Sequence, residues 1–192
     1  AKKELEKTFP DRKIYIVDTL GGSSGGGLIA DTLADMRDQG KNIDELYNWI
    51  EENKLKMHHW FCSSDLTFYI RGGRISKAAG LIGSMLKICP IMNVNNKGKL
   101  TQRLKVRTLD KALSEMVSKM GKHAQNGLNY SGKCYISQSA CYNDAKRLAD
   151  KIEETFKNLN GKVLINDIGT TIGSHTGPGT IALFFWGDER GE

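Results

Sequence analysis

The chain has 192 residues, of which 39% are apolar and 26% charged, a composition that fits one or two globular domains with a real core. No apolar run approaches the roughly 20 residues of a membrane span, so stable membrane insertion is not expected. The net charge of +6 is modest and spread among acids, so it does not demand a nucleic-acid partner. The four cysteines show no C-x-x-C spacing, which points to reduced thiols in a cytoplasmic protein and not to a disulfide framework or zinc site.

In chain order, Ala1–Thr8 reads as the end of a helix, followed by a turn at Pro10–Asp11. Ile14–Val17 reads as a short buried strand ending at Asp18. Next comes a glycine- and serine-rich turn, Gly21–Gly27, in which Ser23 or Ser24 caps a helix carrying Leu28, Ile29, Leu33 and Met36 on one side. Gly25, Gly27 and Ala30 fit a dinucleotide-loop spacing. However, a second helix follows where such a site needs a strand ending in an acid. That helix starts at Asn42, with Glu45 three residues on completing a capping box. It carries Ile43, Leu46, Tyr47, Trp49 and Ile50.

A new unit begins at Met57. His58–Cys62 reads as a strand whose consecutive histidines point to opposite faces and cannot share a metal. Ser63 or Ser64 is expected to cap a short helix through Tyr69, ending at Gly72–Gly73. Residues 76–86 read as a helix rich in small residues, and glycines inside a helix imply close approach by a neighbour or ligand. Ile88–Val94 is strand-like, and Pro90 suits an edge or bulge. The turn residues Asn95–Gly98 then lead into a strand that alternates. Lys99, Thr101, Arg103, Lys105 and Arg107 are expected on one face, with Leu100, Gln102, Leu104 and Val106 on the other.

Thr108 is expected to cap a helix with a core stripe of Leu109, Ala112, Leu113, Met116, Val117 and Met120. A strand over Lys133–Gln138, a helix from Asn143 and a strand over Lys162–Ile168 follow. Thr170, Thr171, Ser174, His175 and Thr176 then lie among glycines 169, 173, 177 and 179. Hydroxyls, one histidine and exposed amides together suit a carboxylate or oxyanion site. The same residues also suit a tight turn with His175 satisfied by backbone. Ile181–Trp186 closes the pattern as an apolar strand.

Taken together, RGGRIS (71–76), KICPIMNV (87–94), GKL with LKVR (98–107) and IGSHTGPGT (172–180) resemble the DegV family. The IVDT segment and its Ser/Gly loop resemble it too. The resemblance implies an α/β fold of α+β character in two domains. Residues 1–55 would be the remnant of an incomplete first parallel α/β domain. Residues 56–192 would be a complete second domain of mixed sheet with helices.

It also implies a bacterial protein that binds a long-chain fatty acid and can serve as the binding subunit of a fatty acid kinase, with no cofactor and no turnover of its own. The carboxylate would lie near Arg74 and His175, with Ser174 and Thr176 beside them. Ala79, Ile82, Gly83 and Leu86 would wall the acyl tunnel. The family's head-group Thr and Ser belong to a segment with no counterpart here. Two further readings stay open: a dihydroxyacetone-kinase-like phosphotransfer domain using His175, and a basic nucleic-acid-binding regulator using the Lys99–Arg107 stripe.

Overall fold

The computed structural model describes residues 2–76 and 88–192. The small-residue helix expected over 76–86, with Ala79, Ile82, Gly83 and Leu86, lies outside the described residues apart from Ser76. Among those described, a six-stranded sheet runs in the order β3-β2-β1-β6-β4-β5. Its strands are β1 (Met57–Cys62), β2 (Cys89–Val94), β3 (Leu100–Val106), β4 (Tyr135–Gln138), β5 (Leu164–Asp167) and β6 (Ile181–Trp186). β1 lies between β2 and β6, antiparallel to both, and only β4 and β5 pair in parallel.

The helices are α1 (Lys2–Thr8), α2 (Ser24–Asp38), α3 (Ile43–Asn53), α4 (Thr67–Arg71), α5 (Leu109–His123), α6 (Tyr142–Thr155) and α7 (Thr170–Thr176). α5 and α6 cover one face of the sheet, and the expected stripe of Ala112, Leu113, Met116 and Met120 is fully buried there against Ile91, Ile136 and Leu183. The other face carries α2, α3 and α4. Leu28, Ile29 and Ile50 share an apolar cluster with Met57, Phe61, Tyr69, Met92 and Phe184. The capping box of α3 forms as expected, Asn42 accepting from Asp44 and Glu45 N–H while Glu45 accepts from Asn42 N–H. Thr108 caps α5 by accepting from Lys111 N–H.

Five local expectations are corrected. Ile14–Val17 joins no ladder among the described residues, and Ile16 is 59% exposed. A strand's N–H and C=O groups need partners to make it one. The N-cap of α4 is Leu66, with no side-chain cap, and the Asp65 carboxylate, not Ser63 or Ser64, accepts from Thr67 N–H. Gly25–Gly27 lie inside the first turn of α2 and do not form a loop. Ser23 stands at the N-cap of α2, but neither its side chain nor Ser24's makes a capping bond. The first half of the Gly169–Gly187 stretch is helix α7 and not an irregular loop.

The fifth correction concerns the basic stripe. Ile91 pairs with Leu104 but Met92 pairs with Gln102, so Arg103 is the extra residue of a bulge. One inserted residue reverses the side-chain alternation beyond it. Leu104 and Val106 therefore join the α5–α6 face while Leu100 joins the opposite one. Within β3, Thr101 and Lys105 consequently fall on opposite faces. Arg103 is further committed to the Asn93 side chain, at 2.8 Å, and to the Glu192 carbonyl.

Candidate functional site

On the α2–α4 face the described residues leave a cavity of about 610 Å³, within the range of small-molecule sites. Phe61 of β1, Val94 of β2, Leu100 of β3 and Ala182 and Phe184 of β6 give it an apolar floor. Ile168 and Ile172 extend that surface toward α7. The flipped alternation of β3 is what turns Leu100 into this floor. Polar groups enter from three edges: Ser23 ahead of α2, Arg74 after α4 with His175 and Thr176 of α7, and Lys99 at the head of β3.

Arg74 and His175 come together because α4 packs on α7, and glycines let them approach. A Cβ on Gly72 would lie 2.6 Å from His175 Nδ1, and one on Gly177 would run into the Phe68 ring. Gly177 also has φ of 73°, a conformation side chains disfavour. Arg74 is exposed and its Nη1 donates to the Gly72 carbonyl at 2.6 Å. Two cations, Arg74 and Lys99, therefore border an apolar cavity, an arrangement that favours an anionic head group with a hydrophobic body.

The other candidates divide. Thr176 lines the cavity, with its hydroxyl donating to the Ile172 carbonyl at 3.1 Å. Ser174 is exposed, is not among the lining residues, and donates to the Thr171 carbonyl at 2.9 Å. Both hydroxyls thus close turns of α7. Ala79, Ile82, Gly83 and Leu86 lie outside the described residues.

Sequence reasoning missed His59. It is 3% exposed, on the cavity side of β1, opposite in direction to His58. Its Nδ1 meets the Met57 carbonyl at 3.0 Å, which requires the proton to sit on Nδ1. Nε2 is then a bare acceptor, buried and without a partner among the described residues, facing Gly21 and Gly25. A side chain on either glycine would collide with it, which explains the glycines flanking Ser23 and Ser24. Burial, aided by the nearby Arg190 cation, holds the His59 pKa down at about 3, so the ring is neutral. The sequence clue was the pairing of an apolar strand with a glycine-rich turn, each of which alone is common.

The Ser23–Ser24 pair is also tied to the sheet. Ser137 of β4 lies 2.9 Å from Ser23 Oγ and 2.7 Å from Ser24 Oγ, and Asn166 of β5 donates to Ser24 Oγ at 3.1 Å. Lower on α2, Lys133 bridges Asp31 and Asp35 at 2.8 and 2.7 Å, and Tyr135 donates to Asp31 at 2.6 Å. The Lys133 ammonium, then the Tyr135 hydroxyl, holds the Asp31 carboxyl below its ordinary range.

On the opposite face His58, His123 and Asp188 converge. The Trp60 indole N–H donates to His58 Nδ1, leaving the proton of the neutral ring on Nε2, which donates to Asp188 at 2.9 Å. A metal at Nε2 would force that proton onto Nδ1, against the indole N–H. The residues present form a closed hydrogen-bonded network and do not fit an ion.

With this geometry described, the chain can be compared with known proteins. Residues 1–188 match the sequence model of the family described as "Uncharacterised protein, DegV family". The chain belongs to the DegV family. It is 41% identical over 190 residues to a DegV domain-containing protein of Clostridium perfringens, covering 99% of this chain and 64% of that protein. It thus spans less than two thirds of the length of the curated relatives it matches.

Among solved structures, a DegV family protein from Eubacterium eligens loaded with heptadecanoic acid superposes with a TM-score of 0.86 at 20% identity. The match covers 97% of this chain and 66% of that one. The Streptococcus pneumoniae fatty acid kinase (Fak) B3 protein loaded with linoleic acid gives 0.84 at 23%, covering 98% and 65%. These DegV structures share the fold: a mixed sheet flanked by helices. Among the described residues no helix is long and apolar enough to cross a membrane.

Proposed function

We propose that this chain is part of a protein that binds a long-chain fatty acid, with the acyl chain in the apolar cavity and the carboxylate at its cationic edge. The observation that carries the reading is the pairing of that apolar floor with Arg74 and His175 at one edge and Lys99 at another, in a member of a family whose solved relatives hold fatty acids. Arg74 and Lys99 supply charge, and His175 supplies a ring N–H. Thr176, with Ser174 behind it, shapes the turn of α7 that presents His175. Ala79, Ile82, Gly83 and Leu86 complete the acyl wall.

In this reading the protein performs no turnover, needs no cofactor, and hands its bound acid to a separate kinase in the cytoplasm. Residues 1–55 belong to a first α/β domain and residues 56–192 form the second, with the ligand between them. The split basic stripe of β3 and the commitment of Arg103 support a lipid partner over a nucleic acid.

The test is to purify the protein under native conditions, extract it with organic solvent and identify bound lipid by mass spectrometry. Stoichiometric long-chain fatty acid is the expected result. Its absence, together with no uptake of added acid, would overturn the reading.

A further inference from the structure

We propose that Ser23 is a further head-group ligand, its hydroxyl released toward the cavity when a carboxylate reverses a hydrogen-bond relay anchored at Asn166. This deepens the fatty-acid reading and rests on it.

Four observations meet at Ser23. It is a non-glycine residue at φ 55° and ψ −144°, backbone territory that L side chains avoid. Its neighbours Gly21, Gly22 and Gly25 show that glycine is the ordinary occupant of this turn, so a serine here retains strain for its hydroxyl. It lines the cavity. Its Oγ ends a chain running Asn166 Nδ2, Ser24 Oγ, Ser137 Oγ, Ser23 Oγ, with steps of 3.1, 2.7 and 2.9 Å.

In the structure Ser23 donates to Ser137 and Ser137, fully buried, donates to Ser24, which also accepts from Asn166. An amide nitrogen can only donate, so the Asn166 bond survives if the hydroxyls reverse. In the reversed setting Ser24 donates to Ser137, Ser137 donates to Ser23, and the Ser23 proton is freed for a group in the cavity. Each hydroxyl has one proton, and in this outward setting every one is used. A carboxylate in the cavity favours the outward setting, and aligned hydroxyls polarise one another. Asn166, Ser24 and Ser137 do not line the cavity and are positioning residues.

The experiment compares binding of a long-chain fatty acid and its methyl ester to the full chain, with melting temperature read alongside. Ser23→Gly removes the hydroxyl and relieves the backbone strain. The acid-to-ester affinity ratio should fall by about 10-fold, the effect of losing one hydrogen bond to a charged group, while the melting temperature holds or rises. Asn166→Asp turns the anchor from donor to acceptor and should lower the same ratio from outside the cavity.

If Ser23 only braces β4, Ser23→Gly would lower the melting temperature and leave the ratio unchanged, which overturns the proposal. An unchanged ratio in Asn166→Asp overturns the relay. Wild type that binds neither ligand would instead overturn the fatty-acid reading itself.

Discussion

The two faces of the sheet are built from the same strands but to different rules. Beneath α5 and α6, large apolar side chains interlock, and Leu113, Met116, Leu148, Ile152 and Phe156 are almost wholly buried. Beneath α2, α4 and α7, glycines replace side chains at the contacts, hydroxyls and charged groups reach inward, and a cavity remains. One face supplies stability, which the other uses to hold an incompletely filled, polar-edged site. The difference teaches that small residues in this sequence mark where a ligand or a buried ring must fit, not where the chain is loose.

The comparison can be broken most directly on the packed face. Leu148→Ala in α6 should cost about 2–5 kcal/mol in denaturant unfolding, because its methyls leave a void in an ordered core. Fatty-acid affinity of the folded protein should be unchanged. Loss of affinity at equal folded fraction would show that the two faces are coupled.

Next in size, Gly25→Val drives a side chain into His59 and toward Phe184. Overpacking of this kind costs about 1–3 kcal/mol. Here it should also abolish acyl binding, since both contacted rings line the cavity. A variant of normal melting temperature and normal affinity would refute the tight-glycine account.

A third measurement exploits His59. Its folded pKa lies near 3, below the ordinary 6.5, so the unfolded state takes up the proton first as pH falls. The contribution of neutral His59 is therefore fully present above pH 6.5 and is lost as pH falls toward about 3, by up to about 1.4 kcal/mol per pH unit. His59→Gln should flatten the stability profile in that window. An unaltered slope would mean that His58, whose pKa burial also lowers, dominates acid sensitivity from the other face.

The smallest effects belong to the exposed rim. Arg74→Ala should reduce acid affinity only a few-fold, because solvent screens the exposed guanidinium and about 0.8 kcal/mol per buried CH₂ comes from the acyl chain. Transfer to a kinase should suffer more than retention. His175→Ala should lower affinity with little change in melting temperature. The opposite pattern, normal affinity and a lower melting temperature, would make His175 a turn residue.

Much of this architecture was legible in the sequence because its cause is local. The stripe of α5, the Asn42–Glu45 capping box and the apolar runs of β1, β2 and β6 follow from periodicity and short-range hydrogen bonding. The motifs around Arg74 and His175 pointed to the cavity's rim. What tertiary structure alone decided depends on partners distant in the chain. Ile14–Val17 has strand composition, yet among the described residues no neighbouring strand completes it. The bulge at Arg103 arises from pairing with β2, and it sends Leu100 to the cavity and Leu104 to the opposite core. His59, Ser137 and Asn166 are unremarkable in sequence, and only the order of strands β1, β6, β4 and β5 sets them beside Gly21 and Ser23. A side chain's own periodicity tells which way it points, but the partners of the Ser23 and Ser24 hydroxyls come from chain more than 100 residues away.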